Sequence, residues 1–168
     1  MADSNWFVSF MTSEVTKTAG LFVGIIVAIL SVWTMRVVAR KKQTADFLFL
    51  SRTDQKLLDG NKVLSELHAA VDKNMKSFAC KEQKDTRECE HVRYVLNHYE
   101  RIAIGIQEGI YDEVMLKKAS YTSVRKLHDQ AKPFIDGVRE NESTKTYYQE
   151  FEWLVERWKN KPLKSKVK

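Results

Sequence analysis

The chain has 168 residues, 28 of them basic and 22 acidic, with a net charge of +6 and a pI near 9.2. The positive excess is not spread over a folded surface. Residues 43–158 carry 18 basic and 20 acidic side chains, so the excess sits in a short flank near residue 40 and in the last ten residues. That excludes a dedicated nucleic-acid domain, which needs a coherent basic face.

In chain order, residues 1–17 carry Asp3, Glu14 and Lys17, a net of −1. They are too few for an independent domain. Trp6, Phe7, Phe10 and Met11 fit a short interfacial helix with Asp3 or Ser4 near its start. Residues 18–39 are predicted as a transmembrane helix. The eighteen positions Thr18–Met35 hold no charge and span about 27 Å at helical rise, close to the thickness of a bilayer core. Trp33 stands near the basic end, where an interfacial aromatic belongs, and Arg36 is placed to snorkel toward headgroups.

Arg36, Arg40, Lys41 and Lys42 close the apolar run and are the expected membrane-surface contacts. By the positive-inside rule they place the N-terminus outside and the C-terminal part in the cytoplasm, as a single pass through a bacterial inner membrane. A cleaved signal peptide would carry its basic residues before the apolar core and a small-x-small site after it, the reverse of this order. Gly20, Gly24 and Ala28 recur every four residues, a small-residue stripe suited to close helix pairing with a second copy or another membrane protein. The alternative is that such residues are simply common in spans.

Residues 40–78 are expected to form the basic juxtamembrane segment and amphipathic linker helices. Leu50, Leu57, Leu64 and Val71 fall seven apart, but Asp54, Asn61 and His68 occupy the alternate heptad positions, so a two-stranded coil is not indicated. Two helices broken near Asp59-Gly60-Asn61 are expected instead. Residues 72–90 are polar and loop-like. Cys80, Cys89 and His91 match no usual zinc spacing, and both cysteines should be free thiols. His68, His98 and His128 stand at no ligand spacing and are expected on surfaces.

Residues 79–160 should be the helical cytosolic domain, followed by a basic tail, 161–168, read as a solvated end in preference to a lipid contact. Its clearest helix runs from a cap at Asp85 or Thr86 to Glu108, with Val92, Val95, Leu96, Tyr99, Ile102, Ala103 and Ile106 on one face. Gly109 suits the left-handed position after it, and Asp112 suits the cap of a short following helix. A further helix is predicted over Tyr121–Glu140, with Pro133 kinking it or starting a second one. Ser143 or Thr144 should cap the last helix, whose inner face holds Tyr147, Phe151, Leu154, Val155 and Trp158.

Four ordered blocks carry a resemblance. Leu96-Asn97-His98-Tyr99-Glu100-Arg101-Ile102-Ala103-Ile104-Gly105-Ile106 is the first and Gly109-Ile110-Tyr111-Asp112 the second. Pro133-Phe134-Ile135 with Arg139-Glu140, and Phe151-Glu152-Trp153-Leu154-Val155-Glu156-Arg157-Trp158, complete the set. Together they resemble a bacterial family of single-span membrane proteins with an all-helical cytosolic domain of unknown function. The resemblance covers nearly all of residues 20–158. It implies a bacterial or prophage origin, an all-helical fold and, from the family's company, a setting in prophage or anti-phage interference. It brings no activity, substrate or catalytic residue.

Asn97 and Glu100 are the polar residues on an otherwise apolar helix. A buried carboxylate needs a partner, and Arg139 or Arg157 is expected to supply it across helices. Trp153 either packs on a neighbouring helix or anchors a partner. These five residues are the structural or partner-binding candidates. No phosphate loop, nucleophile elbow or paired-histidine metal motif occurs, and no cofactor, metal, small-molecule substrate or specific nucleic acid is expected. The sequence therefore points to an all-α protein, one N-terminal transmembrane helix plus a small cytosolic bundle, that acts by interaction and self-associates through its span. The alternatives are an enzyme with an unrecognised site around Glu100 and an oligomeric membrane effector.

Overall fold

The computed structural model describes residue 9 and residues 14–70, 75–79, 81–83 and 85–164. The proposed interfacial segment Trp6–Met11, Val71, Cys80, Lys166 and Lys168 lie outside the described residues, Ser9 excepted. Two compact units divide the chain, residues 1–39 and 40–168. Every regular element among the described residues is helical, so the fold is all-α.

Helix α1, Glu14–Thr53, is 40 residues long. The hydroxyls of Ser31, Thr34, Thr44 and Ser51 each donate to the carbonyl four residues back at 2.8 Å, so these polar side chains are satisfied within the helix. The helix stops at Asp54, whose extended backbone and carboxylate cap the next element by accepting Leu57 N–H at 3.0 Å.

Helix α2, Gln55–Ala69, buries Leu57, Gly60, Leu64 and Leu67 on one face. The expected break at Gly60 is absent. A Cβ there would stand 2.5 Å from Val95 Cγ2 and 2.9 Å from the His91 carbonyl oxygen. The glycine serves close approach of two helices rather than chain reversal. Leu57, Leu64 and Leu67, from the segment expected to be a linker, share one core with residues beyond 79. Of the heptad-spaced leucines, Leu50 is exposed and is not part of that face. Two short 3₁₀ turns, Ser77–Ala79 and Lys81–Gln83, follow in the polar stretch.

Helix α3, Arg87–Gln107, is the central element and packs on α2 and on the last helix. Thr86 caps it, accepting Cys89 N–H at 3.3 Å, and Glu88 and Glu90 suit the positive end of its dipole. Its exit is the expected one. Gly109 takes φ +67, and the N–H groups of Ile110 and Tyr111 both donate to the Gly105 carbonyl, at 2.9 and 3.0 Å. Tyr111 then lays its ring against Gly105, where a Cβ would stand 2.4 Å away.

Asp112 caps α4 by accepting Met115 N–H at 2.9 Å. This helix, Glu113–Asn141, is one unbroken element of 29 residues with Pro133 inside it. The short helix after Asp112 and the one over Tyr121–Glu140 are thus continuous. Helix α5, Gln149–Asn160, begins at Tyr148, which sits in the left-handed region with φ +57 and offers no side-chain cap. The caps expected at Ser143 or Thr144 are not used. Phe134, Phe151, Leu96, Leu116, Leu154 and Trp158 are among the fully buried side chains that fill the core.

Candidate membrane-spanning helix and interaction surface

Between Leu21 and Val38 twelve large apolar side chains of α1 are 48–69% exposed. Among the described residues one helix is long and apolar enough, by length and composition, to cross a membrane. Gly20, Gly24 and Ala28 lie on it, all exposed, and a Cβ built on either glycine meets nothing within 4 Å. Arg36, Lys41 and Lys42 are exposed and Arg40 is half-buried.

The five polar candidates in the bundle do not form one constellation. Asn97 is exposed, and its carbonyl accepts Arg101 Nε at 3.2 Å. Glu100 is half-buried and forms no ion pair with an arginine, although Arg139 is near enough to favour its charged form. Its two oxygens instead accept the backbone N–H groups of Glu150, at 3.3 Å, and Phe151, at 2.7 Å. The carboxylate closes the uncapped start of α5 from another helix. Burial raises the Glu100 carboxyl above its ordinary value, and the two N–H donors offset part of that rise.

The expected Glu100–arginine contact is corrected accordingly, because both arginines have other partners. Arg139 Nη2 stands 2.9 Å from Glu152, and its Nε donates to the Tyr147 carbonyl at 3.0 Å. Arg157 forks onto Glu113, with Nε and Nη2 at 2.8 and 2.9 Å, the bidentate geometry of a guanidinium on a carboxylate. The same Glu113 accepts Trp158 Nε1 at 3.2 Å, and the guanidinium holds its carboxyl below the usual range. Trp153 is half-buried against the core, with Arg157 lying 5.4 Å over its ring.

His98 and His128 are buried, against expectation. His98 stacks on Phe47 with centroids 5.1 Å apart, and His128 meets the Phe151 ring edge-on at 5.4 Å. Burial lowers both, His98 to about 4, so they stay neutral near pH 7. Neither signals itself in sequence, because Phe47 and Phe151, which cover them, come from other helices. Cys89 is a buried free thiol whose sulfur accepts Arg93 Nε at 3.4 Å. Among the described residues no three His, Cys, Asp or Glu side chains gather to hold a metal.

A surface groove beside α4 is lined by Lys76, Asp129, Lys132, Asp136, Arg139, Glu140 and Lys145. It contains Arg139 and not Glu100. Its charges largely close on one another or on a neighbour: Lys76 on Glu140 at 2.8 Å, Lys132 on Asp136 at 3.7 Å, and Arg139 on Glu152.

The class these features define is an all-helical protein with a candidate transmembrane helix and a bundle whose polar contacts stabilise helix ends. A family model described as a domain of unknown function, DUF4760, matches residues 18–158, and the chain belongs to that family. No curated protein and no solved structure matches it.

Proposed function

We propose that this chain is a single-span membrane protein that holds a helical interaction module at the cytoplasmic face of a bacterial inner membrane. The observation that carries the reading is the exposed apolar surface of α1, closed on one side by Arg36, Arg40, Lys41 and Lys42. Twelve large apolar side chains between Leu21 and Val38 are exposed. Leaving them in water forgoes on the order of 20 kcal/mol of burial, more than the whole stability of a typical domain. Lipid removes that cost. The basic flank on one side only favours the orientation with the bundle inside.

Confinement to a plane raises the module's effective concentration toward membrane partners, which is a mechanism without catalysis. The stripe Gly20, Gly24, Ala28 is open to a second backbone, and this supports pairing of spans. Satisfied carboxylates and internally closed ion pairs favour an interaction role over chemistry at Glu100.

Two measurements test the reading. Alkaline washing of membranes that carry the full chain should leave it in the bilayer fraction, with residues beyond 43 protected from protease added outside. Release into the wash, or digestion from outside, overturns the anchor or its orientation. The native mass of gently extracted chain should then be that of a discrete oligomer and should fall in a Gly20→Leu/Gly24→Leu variant. An unchanged mass removes the span as the pairing surface.

A further inference from the structure

One end of the bundle gathers four pieces of chain. Thr44 of α1 accepts the Asp112 N–H at 2.7 Å, Arg157 of α5 forks onto Glu113, and Lys117 donates to the Lys161 carbonyl. The turn of α1 at 40–44, the loop 109–112, the first turns of α4 and the exit of α5 are therefore neighbours. Three apolar side chains there are left uncovered: Ile110 is 46% exposed, Val114 62% and Leu163 42%.

The charged groups around them are mostly basic. Among the described residues Lys41, Lys42, Lys118, Lys161 and Lys164 have no acidic partner. The acids at this end are largely engaged: Asp112 caps α4, Glu113 takes Arg157, and Glu156 takes Lys159, which leaves Asp46 and Glu108. Exposed aliphatic side chains on segments that also carry unpaired lysines have the chemistry of a surface that lies in the boundary between headgroups and acyl chains of an anionic bilayer. The turn 40–44 is also continuous in sequence with the basic flank of the proposed span.

We infer that this end of the bundle is a second membrane contact, in which Ile110 and Val114 dip into the cytoplasmic leaflet and Lys118, Lys161 and Lys164 meet anionic headgroups. The inference rests on the span reading above. It adds that the bundle is docked on the bilayer through a built surface, rather than hanging from α1 alone. The occupant is anionic lipid because the exposed side chains at this end are aliphatic and the charges left unpaired beside them are mostly basic.

The test uses the full chain reconstituted into vesicles of phosphatidylcholine with phosphatidylglycerol. A Cys80→Ser background leaves Cys89, which is buried. Nitroxide labels are placed singly by Val114→Cys, by Ser123→Cys on an exposed stretch further along α4, and by Val27→Cys within the span. Relaxation by oxygen, which concentrates in lipid, and by a water-soluble nickel chelate reports the surroundings of each. The label at 114 should be favoured by oxygen and shielded from nickel, and the label at 123 should show the reverse. Lys118→Glu/Lys164→Glu, or vesicles of phosphatidylcholine alone, should return the label at 114 toward aqueous behaviour. A label at 27 deep in lipid with 114 as aqueous as 123 overturns the docking and leaves the span intact. A label at 27 in water overturns the span reading itself. Shielding of 114 from both reagents means that protein covers it, and this also overturns the inference.

Discussion

Thr44 and Asp112, 68 residues apart, are joined by one hydrogen bond of 2.7 Å, from the Asp112 backbone N–H to the Thr44 hydroxyl oxygen. The same hydroxyl donates to the Arg40 carbonyl, and the Asp112 carboxylate receives Met115 N–H. A fully buried threonine on α1 thus fixes the residue that starts α4. Thr44→Val keeps the shape but leaves the Asp112 N–H without its acceptor, which should cost about 1–3 kcal/mol. Thr44→Ser should keep most of that stability. Denaturant unfolding of the detergent-solubilised chain, followed by tryptophan fluorescence, separates the two. Equal stability of the valine and serine variants would show that the bond does not matter.

Glu100 does for α5 what a local capping side chain does elsewhere. Removing it by Glu100→Ala exposes two N–H groups at a partly buried helix start, and the expected loss is about 1–2 kcal/mol. Glu100→Gln, which keeps one acceptor oxygen, should lose less at neutral pH. The sign of its pH dependence follows from the raised carboxyl. A folded-state value above the unfolded one contributes stability below the ordinary carboxylate range and loses it as pH rises through the folded value. The glutamine variant lacks that loss, so its stability relative to the parent should improve between pH 4 and 7. A difference independent of pH would mean that the carboxylate is as well solvated in the folded chain as in the unfolded one.

Helix α3 is legible in the sequence because its apolar period, its Thr86 cap and its Gly109 exit all agree. The candidate span is legible from length alone. Continuity of α4 is not, because Ser120 interrupts the stripe between Leu116 and Val124. The structure keeps that residue in register by bonding its hydroxyl to the Leu116 carbonyl at 2.8 Å. The start of α5 is hidden for a different reason: its cap arrives from Glu100, some 50 residues earlier, and no local residue announces it. Within the candidate site, Arg139 and Arg157 are recognisable as ion-pair residues, but their partners Glu152 and Glu113 follow from three-dimensional packing.

Gly60 separates two opposed effects of one methyl group. In an isolated helix Gly→Ala gains up to about 1 kcal/mol from propensity. Here the added Cβ meets the His91 carbonyl at 2.9 Å as well as Val95 Cγ2 at 2.5 Å. A side chain can rotate away, but the carbonyl belongs to the backbone of the central helix, so α2 and α3 must separate. Overpacking of this kind costs about 1–3 kcal/mol, and the clash should win. Gly60→Ala is expected to be less stable than the parent in the same unfolding assay. A stabilised variant would show that the contact between α2 and α3 yields easily.

His98 should dominate the acid side of the stability profile. Buried between Phe47 and Tyr99, it has its proton affinity lowered from 6.5 to about 4, first by burial and then by Arg101, with Asp54 opposing. Its folded value is depressed, so its contribution is complete above the unfolded value and is lost as pH falls toward the folded one. In that window the unfolded chain binds a proton that the folded chain refuses. The full drop between pH 6.5 and 4 is on the order of 3 kcal/mol. His128, lowered in the same direction by burial, adds to it. His98→Phe keeps a ring against Phe47 and removes the proton site, so its unfolding midpoint should vary less across this window than that of the parent. Parallel profiles for the two chains would mean that His98 is protonated in place, and acid loss of stability would then come from His128 and from carboxyls held low, such as Glu113.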